Sequence, residues 1–409
     1  MMINRTTRIA GIMLAFGFLF FSCSTLAPGI EETRDKIDEG DLEAAAGMID
    51  SAIADDPQNA DAHYYRGLIY YKKAEQTASS YDRAEKFAEM ASSFSEAESL
   101  YAEQGRSPYQ SEIDDYRTTA WESEFAEAEA LFNQERNPEA ALNNLENALI
   151  IDPGNIRAYV LASEVYLNQD QVAQAFEVLN EGIETADDID RETYEEHAYL
   201  ALETGEYDAA LNSYETLEEL GTENLLNLRH GLVNALKQAD RHRDAANILE
   251  KLIENSPDNP DYTLSYAKQW YGITTNHYEQ WIELYREAPQ GSETGEEFSN
   301  AQQHAERAES LFLEAKELTP QSEEVNTAYA IFLQNMASLL SDINSGVTDE
   351  EYREEIQGMI DRYAGSAIEA FEEIVEQTDD PVYYWESLYQ LYSFTNQSEK
   401  AEEARNHIE

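Results

Sequence analysis

The feature that most constrains this chain is a recurrence. Residues 137–166 (NPEAALNNLENALIIDPGNIRAYVLASEVY) hold one helix, a proline-marked turn and the start of a second helix. The pattern returns at a spacing of 34 residues wherever no insertion intervenes. Asn137 suits an N-cap, because its side chain accepts from the free N–H groups of the first turn. Pro138 stands at the first helical position, where a missing N–H costs nothing. Ala141, Leu145 and Ala148 recur at helical spacing and gather one apolar face. Pro153 cannot continue the helix, and Gly154 and Asn155 suit a turn. Tyr159, Ala162 and Tyr166 then open a second face of the same period. Helix pairs repeated in this way bury their apolar faces against their neighbours, which predicts an all-α fold with a long, one-dimensional core.

These residues resemble the tetratricopeptide repeat, a pair of antiparallel helices. That family has a bulky residue at position 4, small ones at 8, 20 and 27, large apolar ones at 11 and 24, and Pro at 32. The unit from Glu122 supplies Phe125, Phe132, Ala141, Leu145, Ala148 and Pro153, and departs at position 8, which is Glu129. The next supplies Tyr159, Ser163, Tyr166, Ala175, Leu179 and Gly182. The resemblance covers about 26–409 and implies an α-solenoid of about nine such pairs over 31–409, with no separate domain. Insertions are expected in the second unit (up to about Thr118), the seventh and the eighth (through 344–346). The second is expected as longer helices or an extra hairpin, and the seventh holds Trp281 and the turn-rich PQGSETGEE of 289–297.

The first 22 residues read differently. Arg5 and Arg8 precede an apolar run over 9–21, and Ser22 is a small residue before Cys23, the only cysteine. The run is too short to span a bilayer, so 1–22 reads as an export signal. It resembles a bacterial lipoprotein signal. That implies cleavage before Cys23, a lipid anchor bearing palmitate on Cys23, and, with Ser24 next, sorting to the outer membrane facing the periplasm. A plain secretory signal with an incidental cysteine is the alternative. Residues 23–30 are then a lipidated N-terminus and a tether, reaching at most roughly 25 Å.

The chain carries 27 basic and 83 acidic residues, a net charge of −56. Nucleic acid, whose phosphates need a basic surface, is excluded as a partner. So is docking on anionic lipid by charge. With nine Lys against eighteen Arg, the acidic surface reads as an adaptation to salt, which a salt-dependent melting temperature would reveal. The seven His (63, 197, 230, 242, 277, 304 and 407) are scattered without the one-turn spacing of a zinc helix. Asp187, Asp188 and Asp190 lack the glycine and terminal glutamate of a calcium loop and read as caps. No phosphate loop, nucleophile elbow or kinase set is present. No metal, cofactor or catalytic residue is therefore expected.

Carried over position by position, the resemblance implies a groove lined at positions 2, 5, 9, 12 and 13 of each first helix. The groove residues are then Tyr64, Leu68, Tyr71 and Lys72 in the second unit, and Arg157, Glu164 and Asn168 in the fourth. Tyr199 follows in the fifth, and His230, Asn234 and Lys237 in the sixth. Tyr64, Tyr71 and Tyr199 could equally be packing aromatics. An acidic groove favours a cationic or neutral segment. The expected function is a lipid-anchored, non-catalytic scaffold that binds protein partners in the cell envelope. The alternative is a lipoprotein that binds a small solute or glycan for a transporter. A closed pocket lined by Trp270, Trp281 and Tyr271 would favour the alternative, and an open groove the scaffold.

Overall fold

The computed structural model describes residues 28–221, 225–378 and 381–408. Among them it is all-α, with no strand. The expected export signal over 1–22, the expected lipid site Cys23 and most of the expected tether lie outside the described residues. The end of the expected tether does not: α1 begins at Pro28 and Ile30 is buried in the core, so 28–30 belong to the first helix.

The chain divides into two compact units, at Asp188/Ile189. The first holds α1 (Pro28–Asp38), α2 (Leu42–Asp55), α3 (Ala60–Glu75) and α4 (Ser80–Glu103). It continues with α5 (Gln110–Ala130), α6 (Pro138–Ile151), α7 (Ile156–Leu167) and α8 (Val172–Thr185). The second holds α9 (Arg191–Thr204), α10 (Tyr207–Glu219), α11 (Leu225–Gln238), α12 (His242–Asn255) and α13 (Pro260–Glu287). It ends with α14 (Ser292–Leu318), α15 (Glu323–Asn344), α16 (Glu350–Val375), α17 (Val382–Phe394) and α18 (Ser398–Ile408). Odd-numbered helices pair with the even-numbered ones that follow them, and each pair packs on the next within its unit, the stacking of an α-solenoid.

The helix ends form where the sequence chemistry puts them. Asn59, Asn137, Asn155 and Asn259 each cap a helix by accepting from a first-turn N–H, at 3.0–3.3 Å. Asp190 caps α9 by accepting from Thr193 N at 2.8 Å, the cap role read for the 187–190 acids. Gly40 and Gly205 turn the chain between helices at φ +78° and +81°, in the left-handed region. The small residues set how closely paired helices approach. A Cβ at Gly182 would stand 2.7 Å from Cβ of Tyr159, so α7 and α8 meet almost backbone to backbone there.

The departure at Glu129 is a shift of register. Ala128, one residue earlier, is the fully buried small residue, and Glu129 faces solvent. The extra residue before Ala141 is taken up by a π-helical turn, Leu131–Glu135, and by Arg136 in the left-handed region at φ 53°.

The three insertions lengthen existing helices. In the first unit α4 and α5 grow past α3. In the second unit α13 and α14 run 28 and 27 residues, and α15 and α16 run 22 and 26. The run 289–297 is mostly helix rather than turn, because α14 starts at Ser292 and Thr294 donates back to Ala288 O at 2.8 Å. The long tips pack on one another through Trp281, Tyr285, Phe298 and Tyr352. Ring centroids there lie 4.8–5.9 Å apart, which makes a second aromatic core.

Glu218 on α10 ties three helices together. It accepts from Tyr214 and from Lys251 on α12, and from Arg229 Nη2 on α11 at 2.6 Å. Burial alone would raise this carboxyl, but the hydrogen bonds from Lys251, Tyr214 and Arg229 outweigh it and hold the group below its ordinary 4.5. A depressed folded value stabilises above pH 4.5 and loses that contribution as pH falls through it. The melting temperature of Glu218→Gln should therefore lie below that of the wild type at pH 7. The gap should close as melts are repeated toward pH 3, and a constant gap would refute the tie.

Candidate interaction surfaces

The groove expected on α3 is closed. Tyr64, Leu68 and Tyr71 are 5%, 8% and 7% exposed, and Lys72 is half-buried. The turn after α4 and the first turns of α5 cover the two tyrosines. Tyr109 stacks on Tyr64 with centroids 4.0 Å apart, and Tyr116 lies 4.8 Å from Tyr71. Burial pushes the Tyr71 hydroxyl up to about 12, with the neighbouring Glu75 carboxylate adding to it. Sequence spacing could not show which face the insertion would fold across.

The other expected groove residues stay at the surface. On α7, Arg157 lies over the Phe125 and Trp121 rings at 4.3 and 5.0 Å and pairs with Glu122 at 3.4 Å. Glu164 is exposed, and Asn168 is exposed where α7 ends. Tyr199 on α9 is 58% exposed. His230 on α11 meets the Tyr262 hydroxyl of α13 at 2.9 Å. Asn234 is exposed and Lys237 half-buried on the same helix.

A further surface lies in the second unit, on the first helices of the last three pairs. An open cleft of about 530 Å³ is lined by Lys268 and Tyr271 of α13, Glu324, Thr327, Ile331 and Asn335 of α15, and Tyr384 of α17. Tyr271 meets Phe332 edge to face at 5.6 Å, and Phe332 stacks on Phe312 at 4.8 Å, so the floor is fixed by packing. Tyr384 donates to Glu323 at 2.8 Å and lies 3.0 Å from the Thr327 hydroxyl. Burial raises the Tyr271 hydroxyl, which keeps it a neutral donor.

Counted from Pro260 and Glu323, Lys268 and Tyr271 are positions 9 and 12 of their pair. Glu324, Thr327, Ile331 and Asn335 are positions 2, 5, 9 and 13 of theirs. The repeat numbering that named groove residues in the earlier pairs would have found these as well.

Trp270, Trp281 and Tyr271 do not line one pocket. Trp281 is fully buried in the second aromatic core, and Trp270 packs half-buried against Tyr266 and His304. Tyr271 alone of the three lines the cleft. Two of the scattered histidines do meet: His277 and His304 lie 4.4 Å apart, with His277 Nδ1 2.5 Å from Glu297. Burial and His277 hold His304 below its ordinary value. Among the described residues no group of three side chains is placed to hold a metal ion, and no helix is long and apolar enough to cross a membrane.

Residues 31–98 and 132–194 each match a family model of the tetratricopeptide repeat. No curated protein matches the chain. Among solved structures it is similar to the C-terminal part of a TPR repeat-containing protein from Cytophaga hutchinsonii. That match has 14% identity over 69% of this chain and 93% of that one, at a TM-score of 0.35. It is similar to MamA protein at 16% identity, over 46% and 93%, with a TM-score of 0.29. It is similar to the TPR domain of P58(IPK) at 14%, over 90% and 98%, with a TM-score of 0.24.

Proposed function

We propose that this chain, which carries tetratricopeptide repeats, is a non-catalytic scaffold. It is held at the cell envelope by lipid on Cys23 and binds extended protein segments in the cleft of its second unit. The observation that carries this reading is the open cleft of about 530 Å³, in which groove positions of α13 and α15 line one surface. Its apolar floor can cover side chains while Thr327, Asn335 and Lys268 at its walls hydrogen-bond a backbone. Its open mouth favours a chain passing through over an enclosed solute, the alternative reading. The lipid anchor rests on the residues before and at Cys23, and it would place the scaffold on the periplasmic side of the outer membrane.

A photo-crosslinking amino acid placed at Ile331, compared with the exposed Glu181 of α8, tests the cleft in native membranes. Partner bands specific to position 331 are expected, and bands of equal strength at both positions would refute the assignment. Cys23→Ala tests the anchor in the same cells. Loss of palmitate label and of the membrane fraction is expected, and retention of both would remove the anchor from the proposal.

A further inference from the structure

The closed groove of the first unit shows what this chain's own repeat positions accept. The occupant is the turn that joins α4 to α5. Tyr109 stacks flat on Tyr64, a position 5 residue of α3, with centroids 4.0 Å apart and planes 8° apart. Three residues earlier, the guanidinium of Arg106 lies 3.7 Å from Asp61, the position 2 residue of the same helix. Tyr101, under Arg106 at 4.8 Å, donates to that carboxylate at 2.6 Å. A basic residue on the position 2 acid and an aromatic ring further along the helix form the recognition unit.

The open cleft on α15 offers the same two chemistries in another arrangement: position 5 is Thr327, engaged by Tyr384 of α17, and the aromatic comes from Tyr271 of α13. Glu324 supplies an exposed acid at position 2. Tyr271 and Ile331 supply a half-buried aromatic and aliphatic surface beyond it. In a chain of net charge −56, a cationic segment is also the one drawn in by the surrounding field.

We infer that the cleft takes a segment with an aromatic side chain about three residues from a basic one, the chemistry of Arg106–Tyr109. The ring would lie against Tyr271 and Ile331, and the cation on Glu324. This inference rests on the cleft being the binding surface proposed above.

The probe is a fluorescein-labelled, end-capped peptide of residues 105–111 (GRSPYQS), titrated by anisotropy against the full chain at low salt. Saturable binding is expected. Replacing the peptide's tyrosine by alanine should weaken it about tenfold, the loss of one anchoring side chain. Glu324→Lys in the protein should weaken it similarly, and should be rescued by a peptide carrying Arg106→Glu. Thermal melts of Glu324→Lys should match the wild type, since the residue is exposed.

No saturable binding, or binding indifferent to the tyrosine, would overturn the inference. If position-specific crosslinks at Ile331 persist in that case, the cleft stands and only the partner chemistry fails. If the crosslinks fail too, the cleft reading falls with it.

Discussion

Trp281→Ala is expected to lower the unfolding free energy of the second unit by about 3–5 kcal/mol, the usual cost of emptying a buried tryptophan site. The side chain is fully buried. It touches Phe298 of α14, Tyr352 of α16 and Tyr285 of its own helix, with centroids 4.8–5.5 Å away. The site cannot easily collapse, because its walls are rings held by other contacts. Tyr285 alone accepts the N–H groups of Thr348 and Asp349, at 2.9 and 2.8 Å. In a stacked array each pair depends on its neighbours, so the loss should spread to α13–α16 and leave the first unit unchanged. Urea unfolding followed by circular dichroism gives the magnitude, and hydrogen exchange gives the place. A change under about 1 kcal/mol would mean that the long helix tips do not share a core.

How much of this could be read beforehand depended on the range of the interaction involved. Helix caps and paired small residues are local, so Asn137, Pro138 and Ala141 could be placed from spacing alone. The register at Glu129 was not legible, because Ala128 and Ala130 flank it and either could be the close-packed residue. Burial decides between them: Ala128 is fully buried and Ala130 is not. The run 289–297 looked like a turn because Ser, Gly and Glu serve turns and helix starts alike, and the contact of Thr294 with Ala288 settles the helix. The candidate site divides in the same way. Lys268, Thr327 and Asn335 stand at positions that repeat numbering marks. The closure over Tyr64 and Tyr71 depends on where Tyr109 and Tyr116, distant in sequence, come to rest.

Arg83→Met is the second large effect, again about 3–5 kcal/mol, because it leaves a buried charge without its partner. Arg83 of α4 and Glu124 of α5 have side chains 9% and 4% exposed. Arg83 Nη2 donates to Glu124 at 3.0 Å, to Glu127 at 2.9 Å and to Asn144 of α6 at 2.8 Å. Nε makes a bent ion-pair contact with Glu124 at 2.7 Å. Nη1 reaches the carbonyls of Thr77 and Ala78, and Asn147 donates to Glu124 at 2.8 Å. Burial works against the guanidinium's charge, yet the two carboxylates outweigh it and hold the group above its ordinary value. Without the cation, Glu124 keeps one side-chain donor, Asn147, in a dry site. Replacing both buried partners by apolar residues, Arg83→Met with Glu124→Leu, should recover most of it, since the one carboxylate left without Arg83, Glu127, is half exposed to water. The double-mutant cycle measures the coupling between the two residues directly. Additive losses, with no recovery in the double variant, would show that the pair does not act as a unit and that α4, α5 and α6 are held by apolar packing alone.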